Sequence, residues 1–224
     1  MMPVLFNRLA RLLFAVPCIA LVACSLTSQA VTLPNPAVDT ASTHDGTQTT
    51  VLAGGCFWGM QEVFKHVKGI KHVTSGYAGG TATTANYETV SSGATGHAEA
   101  VQIEYDPAQV TYGQILKVYF AVAHNPTELN RQGPDRGTQY RSAIFFTTVE
   151  QQHVAQSYIT QIQGAKAFSS PIVTQVVPLK AFYVAEAYHQ DYAVRHPYEP
   201  YIVINDLPKV ANLQKQFPDL YVGK

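Results

Sequence analysis

The stretch TQTTVLAGGCFWGMQEVFKHVKG, residues 47–69, carries two periods in one run. Its first part, rich in Thr and Val, reads as a strand that ends at the paired glycines Gly54 and Gly55. Its second part spaces Phe57, Met60, Val63, Phe64 and Val67 at helical intervals and closes at Gly69. Cys56 stands at the joint. A strand that runs straight into a helix opens a β-α-β unit, and the elements C-terminal to Gly69 decide which fold that unit belongs to.

Working outward, IKHVTSGYAGG reads as a second strand and HAEAVQIEYDP as a third. TYGQILKVYFAVAH reads as a second helix with Thr111 as its N-cap, and RSAIFFT as a fourth strand. The order β-α-β-β-α-β is the split, ferredoxin-like arrangement, an α+β two-layer sandwich with helices mainly on one face. A helix around VEQQHVAQSYITQIQ, a strand in PIVTQVVPL, a last helix within AFYVAEAYHQDYAVRH and one more helical turn in the tail are expected as a C-terminal extension.

The 224 residues suit one such domain, placed at 48–224, with extra segments before it. The formal charge of zero steers the chain to neither nucleic acid nor acidic surfaces. Residues 1–24 combine Arg8 and Arg11 with a short apolar run and no acid, which reads as a secretory signal peptide. Its end, Leu21-Val22-Ala23-Cys24, resembles a bacterial lipobox, so Cys24 is the expected lipid attachment site. Ser25 then favours the outer membrane, on its periplasmic side. Residues 25–47, without aromatics and rich in Ser, Thr, Ala and Pro, read as a flexible linker. With Cys18 in the leader and Cys24 lipidated, Cys56 is the one thiol left, so an intramolecular disulfide is excluded.

Unpaired amides and the helix dipole at the start of the first helix would favour a thiolate at Cys56. From the residues alone, a buried inert cysteine and a reactive one remain equally good readings. Phe57 and Trp58 are either an aromatic wall beside the sulfur or plain core.

The blocks GGCFWGMQEVF, GYAGG, YETVSSGATGHAEAVQIEYDP, NRQGPDRGTQYRSAIFF and AEAYHQDYAVRHPYEPYIVINDLPK, taken in order, resemble the peptide methionine sulfoxide reductases of the A type. The resemblance implies a ferredoxin-like α+β fold and reduction of methionine S-sulfoxide, free or in proteins. It matches Cys56 to the nucleophile, Glu99 to the acid that protonates the departing oxygen, and Tyr87 and Tyr140 to the hydroxyls that hold that oxygen. Phe57 and Trp58 match the methyl pocket, and Asp135 a substrate-binding position. His189 and Tyr201 fall near the family site without an assigned role. A thiolate attacking the sulfoxide sulfur becomes a sulfenic acid, and Glu99 must stay neutral, which burial would enforce.

No metal cluster, P-loop or dinucleotide fingerprint appears in the sequence, so no bound cofactor is expected. The sequence departs from the family pattern in two places. No cysteine follows Cys56, so the sulfenic acid needs an external thiol: a thioredoxin-like protein, a glutaredoxin-like protein or a small thiol. Asn125 stands where the family often has Asp. A monomer is expected. Two other functions compete: a cysteine hydrolase using His97 or His189 as base, and a non-catalytic lipoprotein module that binds methionine.

Overall fold

A computed structural model describes residues 31–41 and 46–223. In chain order it contains β1 (Gln48–Gly54), α1 (Phe57–Lys65), β2 (Ile70–Ala78), α2 (Tyr87–Val90), β3 (Ala98–Tyr105) and α3 (Tyr112–Val118). The short pair β4 (Arg131–Gln132) and β5 (Asp135–Arg136) comes next, then β6 (Ser142–Phe146), α4 (Val149–Gly164), β7 (Gln175–Pro178), β8 (Phe182–Val184), α5 (Tyr192–Arg195) and α6 (Leu207–Gln216).

The main sheet runs β7-β6-β1-β3-β2-β8. Its central four strands, β6-β1-β3-β2, are antiparallel and carry the ferredoxin-like order. β7 extends one edge in parallel with β6, and β8 extends the other edge antiparallel to β2. Strand alternation then sorts side chains by face. Leu52, Tyr77, Val101, Ile103 and Ile144 point to the main core with Val63, Phe64, Ile115, Leu116, Tyr158 and Leu213 of the helices. The opposite face is built from small residues, Ala53, Ala78, Ala98, Ala100 and Ala143, packed against Phe145, Val177, Leu179 and Phe182. Glu99 shares the parity of Val101, so it faces the helices, with Tyr77 directly across on β2.

Two segments differ from their sequence reading. The AFYVAEAYHQDYAVRH stretch does contain a helix, but a short one that is not the last. It forms β8, a 3-10 turn at Ala187–His189 and a four-residue α5, because Asp191 adopts a left-handed φ of 54° that interrupts any longer helix. The last full helix is α6, ten residues long, which starts through a π turn at Ile202–Asp206 and carries a proline in its first turn.

The second difference is an arm. Residues 31–41, part of the expected flexible linker, lie along α3 and α4. Leu33 is buried in the main core. Tyr158 donates its hydroxyl to the Pro34 carbonyl, and Gln161 bonds both the Asn35 carbonyl and the Ala37 N–H. Asp39 accepts from the Gly113 N–H and the Thr111 hydroxyl at the start of α3, where Thr111 and Gln114 also form a capping box. One buried leucine and a set of side chains that satisfy the arm's backbone offset its ordering entropy. The leader with Cys24, and residues 25–30 and 42–45, lie outside the described residues.

Candidate active site

Cys56 is the N-cap of α1 and is almost wholly buried. Gly55 before it has φ +91°, and a Cβ there would lie 2.5 Å from the stem of Gln132, so both conformation and space require glycine. The first amides of α1 have no partner inside the helix. The Phe57 N–H donates to Glu99 Oε2 at 3.0 Å, and the Trp58 N–H is directed at the Cys56 sulfur. One helix start thus holds both the thiol and the carboxyl.

Burial pushes the Cys56 thiol well above its ordinary value, and the negative fields of Glu99 and Asp206 add to this. The Trp58 N–H pulls the other way. The sequence-based expectation of a thiol lowered by the helix start is therefore corrected: desolvation outweighs the dipole. Burial likewise pushes the Glu99 carboxyl up to about 8, against the lowering effect of the Phe57 N–H. At neutral pH both groups are protonated, and two protons sit side by side at the start of α1.

Phe57 is buried, with its ring 5.8 Å from Tyr77 and 5.0 Å from His189. Trp58 is half-buried. It stacks on Tyr192 at 3.8 Å and 8°, meets Tyr201 edge-on at 5.9 Å, and donates its indole N–H to His189 Nδ1 at 3.2 Å. Tyr87 lies against His189 at 4.4 Å. The Tyr87 and Tyr140 hydroxyls are both pushed up by burial and then by the charge of Glu99, with Cys56 also contributing. Both therefore remain hydrogen-bond donors beside the thiol–carboxyl pair. Asp135, at the end of the β4–β5 pair, accepts the Tyr201 hydroxyl. All seven residues singled out in the folded part by their sequence blocks thus gather around one helix start. Among the described residues, no group of three His, Cys, Asp or Glu side chains could hold a metal ion.

A family model described as peptide methionine sulfoxide reductase matches residues 48–220. The chain belongs to that family. The peptide methionine sulfoxide reductase MsrA 2 of Mesorhizobium japonicum is 60% identical over 179 residues, covering 80% of this chain and 92% of the relative. The protein of the same description from Synechocystis sp. is 52% identical over 190 residues, covering 84% and 89%. Among solved structures, methionine sulfoxide reductase A of Corynebacterium diphtheriae is 34% identical with a TM-score of 0.59, covering 75% of this chain and 87% of that one. Mxr1 of Saccharomyces cerevisiae in reduced form is 30% identical with a TM-score of 0.63, covering 71% and 91%.

The chain is therefore a peptide-methionine (S)-S-oxide reductase, and neither competing function is supported. The geometry agrees. His97 has both ring nitrogens engaged: Nδ1 accepts the Gly80 N–H at 3.2 Å and Nε2 donates to the Thr81 carbonyl at 3.0 Å. It clips a turn and has no free lone pair for a base. His189 spends Nδ1 on Trp58, and burial lowers its tendency to charge. Asn125 caps its own turn, accepting from the Thr127 N–H and hydroxyl.

Sequence reasoning missed Glu186, Tyr192 and the buried pair Asp206–Lys209, joined at 3.1 Å. A Cβ at Gly59 would fall 2.0 Å from Asp206 Oδ1, so this pair presses on the first turn of α1. Gly59 in the GCFWG run was the signal: a glycine inside a helix marks a close approach of something else.

Proposed function

We propose that Cys56 is the nucleophile and Glu99 the acid of sulfoxide reduction. The observation that carries this is the Cys56 thiol and the Glu99 carboxyl meeting at the first amides of α1 inside an aromatic cage, where burial favours the neutral form of both. Phe57 and Trp58 receive the methyl end of the oxidised side chain, and Asp135 fixes the pocket through Tyr201. The sulfoxide oxygen lies between the Tyr87 and Tyr140 hydroxyls, each such donor being worth about 2–4 kcal/mol in comparable sites.

The chemistry balances with the protons in place. As the Cys56 sulfur bonds to the sulfoxide sulfur, the S–O bond breaks. The oxygen takes one proton from the thiol and one from Glu99 and leaves as water. A sulfonium joined to Cys56 and a Glu99 carboxylate remain. Water then attacks the Cys56 sulfur, methionine departs, and the freed proton returns to Glu99. The sulfenic acid so formed condenses with an external thiol, releasing water, and a second thiol restores Cys56 with formation of a disulfide. The lack of any cysteine after Cys56 supports an outside reductant, either a thioredoxin-like or glutaredoxin-like protein or a small thiol. The test is to incubate the protein with both epimers of a methionine sulfoxide peptide and dithiothreitol. The S epimer should lose one oxygen by mass, the R epimer none, and Cys56→Ser should be inert. Turnover by Cys56→Ser would overturn the assignment.

We also propose an exported, Cys24-lipidated, monomeric protein on the periplasmic side of a bacterial outer membrane. It would repair oxidised exported proteins there. The lipobox-like Leu21-Val22-Ala23-Cys24 supports it. A mature N-terminus that is not an acylated Cys24, read by mass spectrometry, would end this proposal.

A further inference from the structure

Glu186 lies half-buried between β8 and the Ala187–His189 turn, and it is none of the groups assigned to the reaction. One carboxylate oxygen accepts the backbone N–H of Tyr87 at 2.9 Å, and the other accepts the Tyr77 hydroxyl at 2.8 Å. The Glu186 carbonyl accepts the His189 N–H at 2.9 Å. One residue therefore joins the start of α2, the strand β2 whose Tyr77 ring packs on Phe57, and the turn that sets His189 against Trp58 and Tyr87.

The Tyr87 contact matters most. α2 has four residues, and Tyr87 is the first of them. A helix that short has almost no stability of its own, and its first N–H has no partner within it. Asn86 caps it at Thr89, one residue after Glu88. The acceptor on its own N–H therefore helps to fix the direction in which the Tyr87 ring leaves the backbone, together with the His189 ring packed against it and the Ser91 bonds to its carbonyl. The donors on Glu186 hold its carboxyl below the usual carboxylate range despite partial burial, so both oxygens accept throughout the neutral pH range.

We propose that Glu186 is a positioning residue for the Tyr87 hydroxyl. The inference rests on the reading of Tyr87 as a group that holds the sulfoxide oxygen. It demands a particular shape rather than a charge: two polar atoms spaced to reach Tyr87 and Tyr77 together. Glutamine meets that demand, since its oxygen can accept from Tyr87 while its NH2 donates to a reversed Tyr77 hydroxyl. Aspartate keeps the charge but is one carbon short, and alanine offers neither atom.

The experiment measures kcat and KM on an S-sulfoxide peptide with dithiothreitol for Tyr87→Phe, Glu186→Ala, Glu186→Gln, Glu186→Asp and the Tyr87→Phe/Glu186→Ala double variant. Melting curves confirm that each is folded. Misaiming one donor should lower kcat roughly ten- to a hundredfold. Glu186→Ala and Glu186→Asp should both show that loss, and Glu186→Gln should stay within about threefold of the parent. The double variant should be no slower than the slower single variant, because a hydroxyl already removed cannot be misaimed. Losses that multiply in the double variant would overturn the inference while leaving Tyr87 in its role, as would a Glu186→Gln as slow as Glu186→Ala. An unimpaired Tyr87→Phe would instead overturn the role of Tyr87, and the inference with it. If alanine at 186 prevents folding, the contrast between glutamine and aspartate alone decides the matter.

Discussion

The floor and the wall of the site use the same side chain for opposite ends. The floor is the β1–α1 junction and β3, and its carboxyl, Glu99, is fully enclosed with one backbone N–H and the thiol as neighbours. The wall is the irregular chain between β8 and α6, and its carboxyl, Glu186, is half in solvent with the Tyr87 N–H and Tyr77 hydroxyl upon it. Burial wins at Glu99 and lifts it to about 8, whereas donors win at Glu186 and lower it. A buried carboxyl with few donors stores a proton. A solvated one with several donors becomes a fixed anion that holds other groups in place. The floor thus supplies chemistry and the wall supplies shape.

The sharpest way to break that division is Glu99→Gln. The amide can still accept the Phe57 N–H, but it has no acidic proton, so kcat should fall on the order of a thousandfold. In the parent, turnover should fall about tenfold for each pH unit above 8 as Glu99 ionises, and this alkaline limb should vanish from the residual activity of the variant. Stability provides an independent reading. The folded chain keeps a proton on Glu99 that the unfolded chain releases near pH 4.5, so the parent loses up to about 1.4 kcal/mol per pH unit between there and about 8. Glu99→Gln escapes that loss. Its melting temperature should exceed the parent's at pH 8.5 and match it at pH 4.5; equal curves at both would deny the raised carboxyl.

A second test moves into the wall. Asp206 is fully buried and its partner is Lys209, one turn along α6. Lys209→Met leaves a lone buried carboxylate, which should cost about 3 kcal/mol, or roughly 6–12 °C in melting temperature for a domain of this size. The loss should be larger at pH 8 than at pH 5, since burial raises Asp206 and protonation at lower pH relieves the unpaired charge. Asp206→Asn/Lys209→Met should recover most of it. Because Asp206 adds to the field on Cys56, the double variant, which lacks that carboxylate, should also be alkylated faster by iodoacetamide than the parent.

The floor could be read in the sequence and the wall could not, for physical reasons. β1, α1, β3 and α3 announce themselves by period, by the Gly54–Gly55 pair and by the Thr111 cap, and their order fixes which strands are neighbours. That order makes β3 the neighbour of β1, but the face of Glu99 follows from its parity with Val101, and in the sequence only the family resemblance joins Glu99 to Cys56. The residues around Glu186, Tyr192 and Asp206 have no period, because each is placed by a group distant in sequence: the Tyr87 N–H and Tyr77 hydroxyl, the Trp58 ring, and the bare backbone at Gly59. The arm failed for the same reason. Leu33 and Asp39 are ordinary residues in a polar run until α3 and α4 are in place to receive them. The thiol at Cys56 also went the other way from its local signal, since the helix start is visible in sequence and the depth of burial is not.

Tyr192→Ala probes the wall at a gentler level. It removes the stack under Trp58, a contact worth about 0.5–1.5 kcal/mol beyond its area. A looser indole should weaken substrate binding, so KM should rise up to about tenfold while kcat moves little. The alkaline limb set by Glu99 should stay where it was. A fall in kcat with an unchanged KM would mean that wall and floor are not separable in this way.

The smallest effect is expected at Asn125→Asp, beside the floor yet outside its chemistry. Asn125 is exposed, and its side-chain oxygen alone is used, accepting from the Thr127 N–H at 3.1 Å and the Thr127 hydroxyl at 2.8 Å. A carboxylate oxygen accepts both equally well. The main chain of Asn125 is held separately, by the Gln132 amide on its N–H and its carbonyl, and the stem of Gln132 covers Gly55. The support for the Cys56 loop therefore comes from Gln132 and the backbone, which the substitution leaves intact. Stability should stay within about 0.5 kcal/mol, as for other surface changes that keep their bonds, and kcat/KM within about twofold. A larger loss would show that a charge outside the buried pocket reaches Glu99, and that the floor is less insulated than its burial implies.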